Sequence, residues 1–189
     1  MQPTRQFIRA YYRLNPLIRF LIWVGFLTVL VGIPAYLSIE SPLFNRQAEK
    51  ADFYFYAPGT DHLTAGDTFT VEFHVLSAQT SINAVGSTLL FDPHVLQITS
   101  LTTTQSFCSF YAENSFDNIR GEIHLSCGTP NPGYKGDSTL IIMSMQVKEN
   151  GLTAISLKPG TGMILANDGK GTNLINSAPT LSLAIKQLL

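Results

Sequence analysis

Charge is scarce in this chain. Only 13% of its 189 residues are Asp, Glu, Lys or Arg, and the net charge is −1. So neutral a balance gives no electrostatic footing for nucleic acid, and no such partner is expected. Cysteine is scarcer still: Cys108 and Cys127 are the only two, and no residues at metal-ligand spacing accompany them. G-x-S-x-G, H-E-x-x-H and P-loop motifs are all missing, which removes the common hydrolase, zinc-protease and nucleotide signatures. No enzymatic activity, cofactor or metal is expected. No repeat with a period of roughly 20–50 residues stands out, and there is no low-complexity tract.

One long apolar run is present. Residues 20–39, FLIWVGFLTVLVGIPAYLSI, carry no formal charge. A helix rising about 1.5 Å per residue would make this stretch roughly 30 Å long, the depth of a bilayer's hydrocarbon. Residues 1–19 carry Arg5, Arg9, Arg13 and Arg19 and no acid. The positive-inside rule then predicts a cytoplasmic head, a single span and an extracytoplasmic body, hence a cell-membrane localisation. Trp23 and Tyr36 sit where interfacial aromatics belong. A cleaved signal peptide and a pilin-like helix are the rival readings, but good cleavage sites and an early Glu are lacking. A linker is expected over 40–51 and a single domain over 52–189.

That body has the composition of strands and turns, rich in Thr, Ser, Gly, Asn and β-branched residues. Residues 69–76 alternate cleanly, with Phe69, Val71, Phe73 and Val75 on one face and Thr70, Glu72 and His74 on the other. Residues 82–91 place Val85, Ser87, Leu89 and Phe91 against Ala84, Gly86, Thr88 and Leu90, and Asp92-Pro93 ends the run. Further strands are expected near 51–57, 95–99, 106–119, 121–127, 138–147, 152–157, 163–166 and 181–185, separated by Gly- and Pro-rich turns. About nine short strands and no helical periodicity beyond residue 39 predict an all-β antiparallel sandwich. With the body outside the cytoplasm, Cys108 and Cys127 read as a disulfide closing a loop of about 20 residues. Two free buried thiols are the alternative.

Several groupings could carry chemistry. Phe53, Tyr54, Phe55 and Tyr56 resemble a sugar-stacking platform, but alternation splits them between faces and favours core packing. His74 and His124 each lie beside an outward acid, Glu72 and Glu122, and would form a pH-sensitive or metal patch only if their strands were neighbours. His62 and His94 are scattered. Glu113 and Asp117 could imitate an acid/base pair, though solvated loop acids are commoner. Asn167, Asp168 and Asn173 in NDGKGTN could offer oxygens to Ca²⁺, but the spacing suits a turn better.

The strand order, with INAVGSTLLFDPHVLQI in third place, resembles the cohesin family. Phe91-Asp92-Pro93-His94-Val95-Leu96 matches its apolar strand ending in Tyr/Phe-Asp-Pro. Gly66 to Val71 is similar to its opening G-x-x-F-x-V, and the resemblance covers roughly 52–186. It implies a nine-stranded jelly-roll sandwich related to some carbohydrate-binding modules, and a module that binds dockerins. Dockerin-binding cohesins tend to be polar on the outer face of the third strand. Here Ala84, Gly86, Thr88 and Leu90 stand there, small or apolar. The leading expectation is a membrane-anchored surface module binding an unknown protein partner through that face, in the manner of a cohesin with a dockerin. A polysaccharide-binding module is the alternative, using exposed Tyr111 and Tyr134 with Phe110 and Phe116. A structural subunit of a surface filament or complex, packed through its apolar helix, is a further one.

Overall fold

The computed structural model describes the backbone of residues 14–40 and 49–186 and the side chains of 14–30 and 49–186. The chain divides into two compact units, Met1–Gln47 and Ala48–Leu189. Arg5, Arg9 and Arg13 of the basic head and residues 41–48 of the linker lie outside the described residues, as do the side chains of Pro34 and Tyr36.

The first unit holds helix α1 (Pro16–Glu40). Asn15 caps it: its side-chain Oδ1 accepts the backbone N–H of Leu17 at 3.1 Å. Pro16 takes the first helical position, where its missing N–H costs nothing. The helix thus begins before the apolar run and includes Arg19 in its first turn. Among the described residues, no helix is long and apolar enough to cross a membrane. The expected single-pass anchor over 20–39 is therefore corrected. The cytoplasmic and extracytoplasmic assignments of the two ends fall with it, since they rested on that span.

The second unit is a two-layer antiparallel β-sandwich. Its strands are β1 (Asp52–Tyr56), β2 (Thr68–Leu90), β3 (Leu96–Thr102), β4 (Phe110–Asp117), β5 (Glu122–Gly128), β6 (Tyr134–Val147), β7 (Gly151–Leu157), β8 (Met163–Ala166) and β9 (Thr180–Ile185). The layers share β2. Its first half pairs with β1 and β6, and β3 follows on the far side of β6. Its second half pairs with β5, β7 and β8; β4 then lies beyond β5 and β9 beyond β7. Sequence pattern predicts a turn over 77–81 separating two strands. Instead the segment passes from one layer to the other as extended chain, and its register with β6 shifts between Ser77 and Ile82. The Ser77 hydroxyl, itself buried, donates to the Thr80 carbonyl at 2.6 Å across this crossing.

The inward set from β2 behaves as its alternation predicts. Phe69, Val71, Phe73, Val75, Val85 and Leu89 are all buried. Phe53 and Phe55 of β1 lie on Phe73, with ring centroids 4.9 and 5.2 Å apart. Tyr54 and Tyr56 point the other way. The aromatic cluster is therefore split between core and surface. β6 lies between β2 and β3, and a bulge opposite Phe73 and His74 leaves both Leu140 and Ile141 buried.

Gly121 closes the tight connection between β4 and β5 at φ +69°. A Cβ there would lie 2.1 Å from the Phe91 carbonyl oxygen, so only glycine lets the Phe91 N–H reach the Gly121 carbonyl at 2.9 Å. Cys108 and Cys127 form a disulfide with a Cα–Cα distance of 5.8 Å, tying the loop before β4 to β5.

Candidate functional site

Four strands build the outer face of the second layer. Ala84, Gly86, Thr88 and Leu90 point outward from β2, opposite Gly128, Ser126, His124 and Glu122 of β5. On one flank β8 sets Leu165 beside Ala84 and Met163 beside Gly86. On the other, β4 sets Phe110 beside Gly128 and Asp117 beside Glu122.

One end of this face is apolar because two glycines leave room for neighbouring side chains. A Cβ on Gly128 would sit 2.8 Å from the ring of Phe110, and one on Gly86 would sit 3.0 Å from Met163 Cε. The Phe110 ring and the Met163 thioether therefore lie over bare backbone. They remain 59% and 46% exposed, while both glycines beneath are buried. Sequence pattern marks Phe110 only as a possible sugar-stacking ring and Met163 only as a strand residue. The signal that could have found them is the pair of glycines at strand positions, which mark a close approach.

The other end is charged and internally paired. Lys158 Nζ donates to Glu122 Oε1 at 2.9 Å, and His124 Nε2 lies 3.4 Å from Glu122 Oε2. Asp117 Oδ1 accepts the backbone N–H groups of Ile119 and Arg120 at 2.8 and 3.1 Å, and Arg120 Nε lies 3.4 Å from Asp117 Oδ2. The Lys158 hydrogen bond holds the Glu122 carboxyl below its ordinary 4.5. The Arg120 and Ile119 N–H groups hold the Asp117 carboxyl below 3.8. In the turn after β8, the Thr172 hydroxyl and the Lys170 N–H do the same for Asp168. For groups whose pKa is lowered on folding, the stabilising contribution is complete above the unfolded value and is lost as pH falls through the folded one. Unfolding midpoints should therefore hold steady from neutrality down to the ordinary carboxylate range and fall below it. In Glu122→Gln/Asp117→Asn/Asp168→Asn the acid-side drop should shrink, as denaturant melts across pH would show.

The structure separates the other candidates. Tyr111 turns inward, donating its hydroxyl to the Leu140 carbonyl at 3.0 Å, and burial pushes its pKa up. Tyr134 stacks on Phe107, centroids 4.7 Å apart, and donates to the Asp137 carbonyl. Phe116 shares a register row with the buried Ile123, on the side of β4 opposite to Phe110. The four aromatics therefore form no planar row. His74 and His124 lie on different layers, each against its own acid. Glu113 and Asp117 pair with different β5 residues, Ser126 and Glu122. Asn173 Oδ1 accepts the Ile164 N–H and Asp168 Oδ2 accepts the Thr172 hydroxyl, so these oxygens already serve the turn. Among the described residues, no group of three or more His, Cys, Asp or Glu could hold a metal ion.

A second constellation is invisible in the sequence. His74 Nε2 lies 2.9 Å from Glu72 Oε2, and its Nδ1 lies 3.1 Å from the Tyr54 hydroxyl and 3.4 Å from Asp137 Oδ1. Tyr54 stacks on the imidazole at 4.7 Å and donates to Asp137 Oδ2 at 2.6 Å. Burial, reinforced by Asp137, pushes the Tyr54 pKa up to about 12. Glu72 and His74 are legible as outward residues. Tyr54 and Asp137 join them only through cross-strand pairing with β1 and β6.

No protein-family model matches the chain, and no curated protein matches it in sequence. Solved structures do match, and they define a class: the sandwich has the cohesin fold. A cohesin from Clostridium acetobutylicum, CaCohA2, aligns over 74% of this chain and 92% of its own, with TM-score 0.60 and 14% identity. The cohesin–dockerin complex Coh-OlpC–Doc435 from Clostridium thermocellum aligns over 73% and 96%, with TM-score 0.57 and 11% identity. A non-cellulosomal cohesin from the archaeon Archaeoglobus fulgidus aligns over 70% and 90%, with TM-score 0.54 and 17% identity.

Proposed function

We propose that the sandwich is a non-catalytic protein-binding module whose partner, a dockerin or dockerin-like module, docks on the outer face of the second layer. The observation that carries this reading is the presentation of Phe110 and Met163 over Gly128 and Gly86. A protruding aromatic and a flexible thioether beside small residues make an anchor that a partner can cover without displacing structure. The paired charges around Glu122 and Asp117 form a polar rim. The fold likeness supports the partner class, because the Clostridium thermocellum structure is a cohesin–dockerin complex. A polysaccharide surface would call for a planar row of rings, and Phe110 stands on this face without Tyr111, Tyr134 or Phe116.

Titration calorimetry of the purified chain against a panel of dockerin modules tests the assignment. Phe110→Ala should weaken binding by about 2 kcal/mol or more, roughly thirtyfold, while the melting temperature holds. Met163→Ala should weaken it less. Absence of binding to every dockerin, or affinity unchanged in both variants, would remove the proposal.

A further inference from the structure

A cleft of about 430 Å³ opens between the loop ahead of β4 and the start of β6. It contains none of the residues of the face described above, and the ligand it fits is independent of the partner proposed there. Its volume falls within the roughly 300–1,000 Å³ of small-molecule sites.

Its walls differ in chemistry. One is aromatic, made by Phe107 and Tyr134 stacked with an interplanar angle of 19°. Another carries Asp137, half exposed yet held in place, since its two carboxylate oxygens meet His74 and the Tyr54 hydroxyl. Gln105 also lines it, exposed and with no side-chain hydrogen bond among the described residues. Ser106, Ser138 and Thr139 supply further polar lining.

This composition excludes several ligand classes. No Lys or Arg lines the cleft, so a phosphate, sulfate or carboxylate would enter without a counter-charge and beside Asp137. The lining is mostly polar, which argues against an acyl chain or a flat apolar ligand. A pyranose ring fits both kinds of wall. Its C–H face is apolar and suits an aromatic surface, and its equatorial hydroxyls both donate and accept at the ring's edge. Asp137 accepts only, while the Gln105 amide does both, and together they satisfy such an edge.

We propose that this cleft binds a single neutral pyranose unit of a glycan, its C–H face on the Phe107–Tyr134 wall and its hydroxyls on Asp137 and Gln105. The site is a one-sugar cleft, distinct from the planar row that a flat polysaccharide surface would require. Asp137 is prearranged for it: the Tyr54–His74–Glu72 network keeps the carboxylate in one orientation, so little ordering cost remains on binding.

The test is a titration of the isotope-labelled full chain with neutral disaccharides built from glucose, galactose, mannose or xylose, followed by amide NMR. At least one should shift the amides of Gln105, Ser106, Phe107 and Tyr134 saturably, at millimolar concentration. Gln105→Ala should weaken that binding roughly tenfold, the equivalent of about 1.4 kcal/mol, with unchanged thermal melting because the side chain holds nothing in place. Asp137→Asn should weaken it as well. The proposal is overturned if none of the sugars moves these amides, if both variants bind as the parent does, or if only an alkylammonium probe produces the shifts.

Discussion

Phe73→Ala should cost about 3–5 kcal/mol of unfolding free energy, a large share of the roughly 5–15 kcal/mol that holds a domain of this kind. Phe73 is fully buried, and its ring lies against both Phe53 and Phe55. Truncation removes the ring's transfer energy and leaves a cavity. That cavity cannot collapse easily, because β1 on one side and β6 on the other hold β2 in place. Urea melts of the full chain should show a lower midpoint with an unaltered slope. Thr70→Ala, an exposed position on the same strand, should stay within about 0.5 kcal/mol. A loss below about 1.5 kcal/mol for Phe73→Ala would mean that the aromatic cluster is not the centre of the first layer.

Removing the disulfide is the second large effect. Cys108 and Cys127 are 19 residues apart, and closing a loop of that size contributes about 3 kcal/mol in the chain-entropy account. The Cys108→Ser/Cys127→Ser variant should lose about that much. The loss should also be localised. β4 is the outer strand of its layer, hydrogen-bonded only to β5 among the named strands, and the bridge holds the loop that leads into it. Hydrogen exchange in the variant should therefore accelerate over 110–117 well before it does in β2 or β6. Phe110 lies at the start of β4, so affinity for the dockerin partner proposed above should fall even where the rest of the sandwich remains folded. Uniform acceleration across both layers would refute this account of the bridge as a clamp on β4.

Much of the sandwich can be read in the chain itself, because strand alternation is a local property. The inward set Phe69, Val71, Phe73, Val75 and the outward set Ala84, Gly86, Thr88, Leu90 follow from period two alone. Turn chemistry at Asp92-Pro93 likewise depends on neighbours in sequence. The continuity of β2 does not show, because its crossing from one layer to the other depends on partners far away in the chain. The apolar run is legible as a helix. Its reading as a membrane span is corrected: among the described residues, no helix is long and apolar enough to cross a membrane.

The sites divide along the same line. Sequence alone established a helical apolar run ahead of an all-β body without a recognisable catalytic motif, and it singled out one small, apolar strand face. Only tertiary structure could bring Phe110 over Gly128, Met163 over Gly86, and Tyr54, His74 and Asp137 into one network. These contacts join strands tens of residues apart, and register between strands is a property of the whole sheet rather than of either strand.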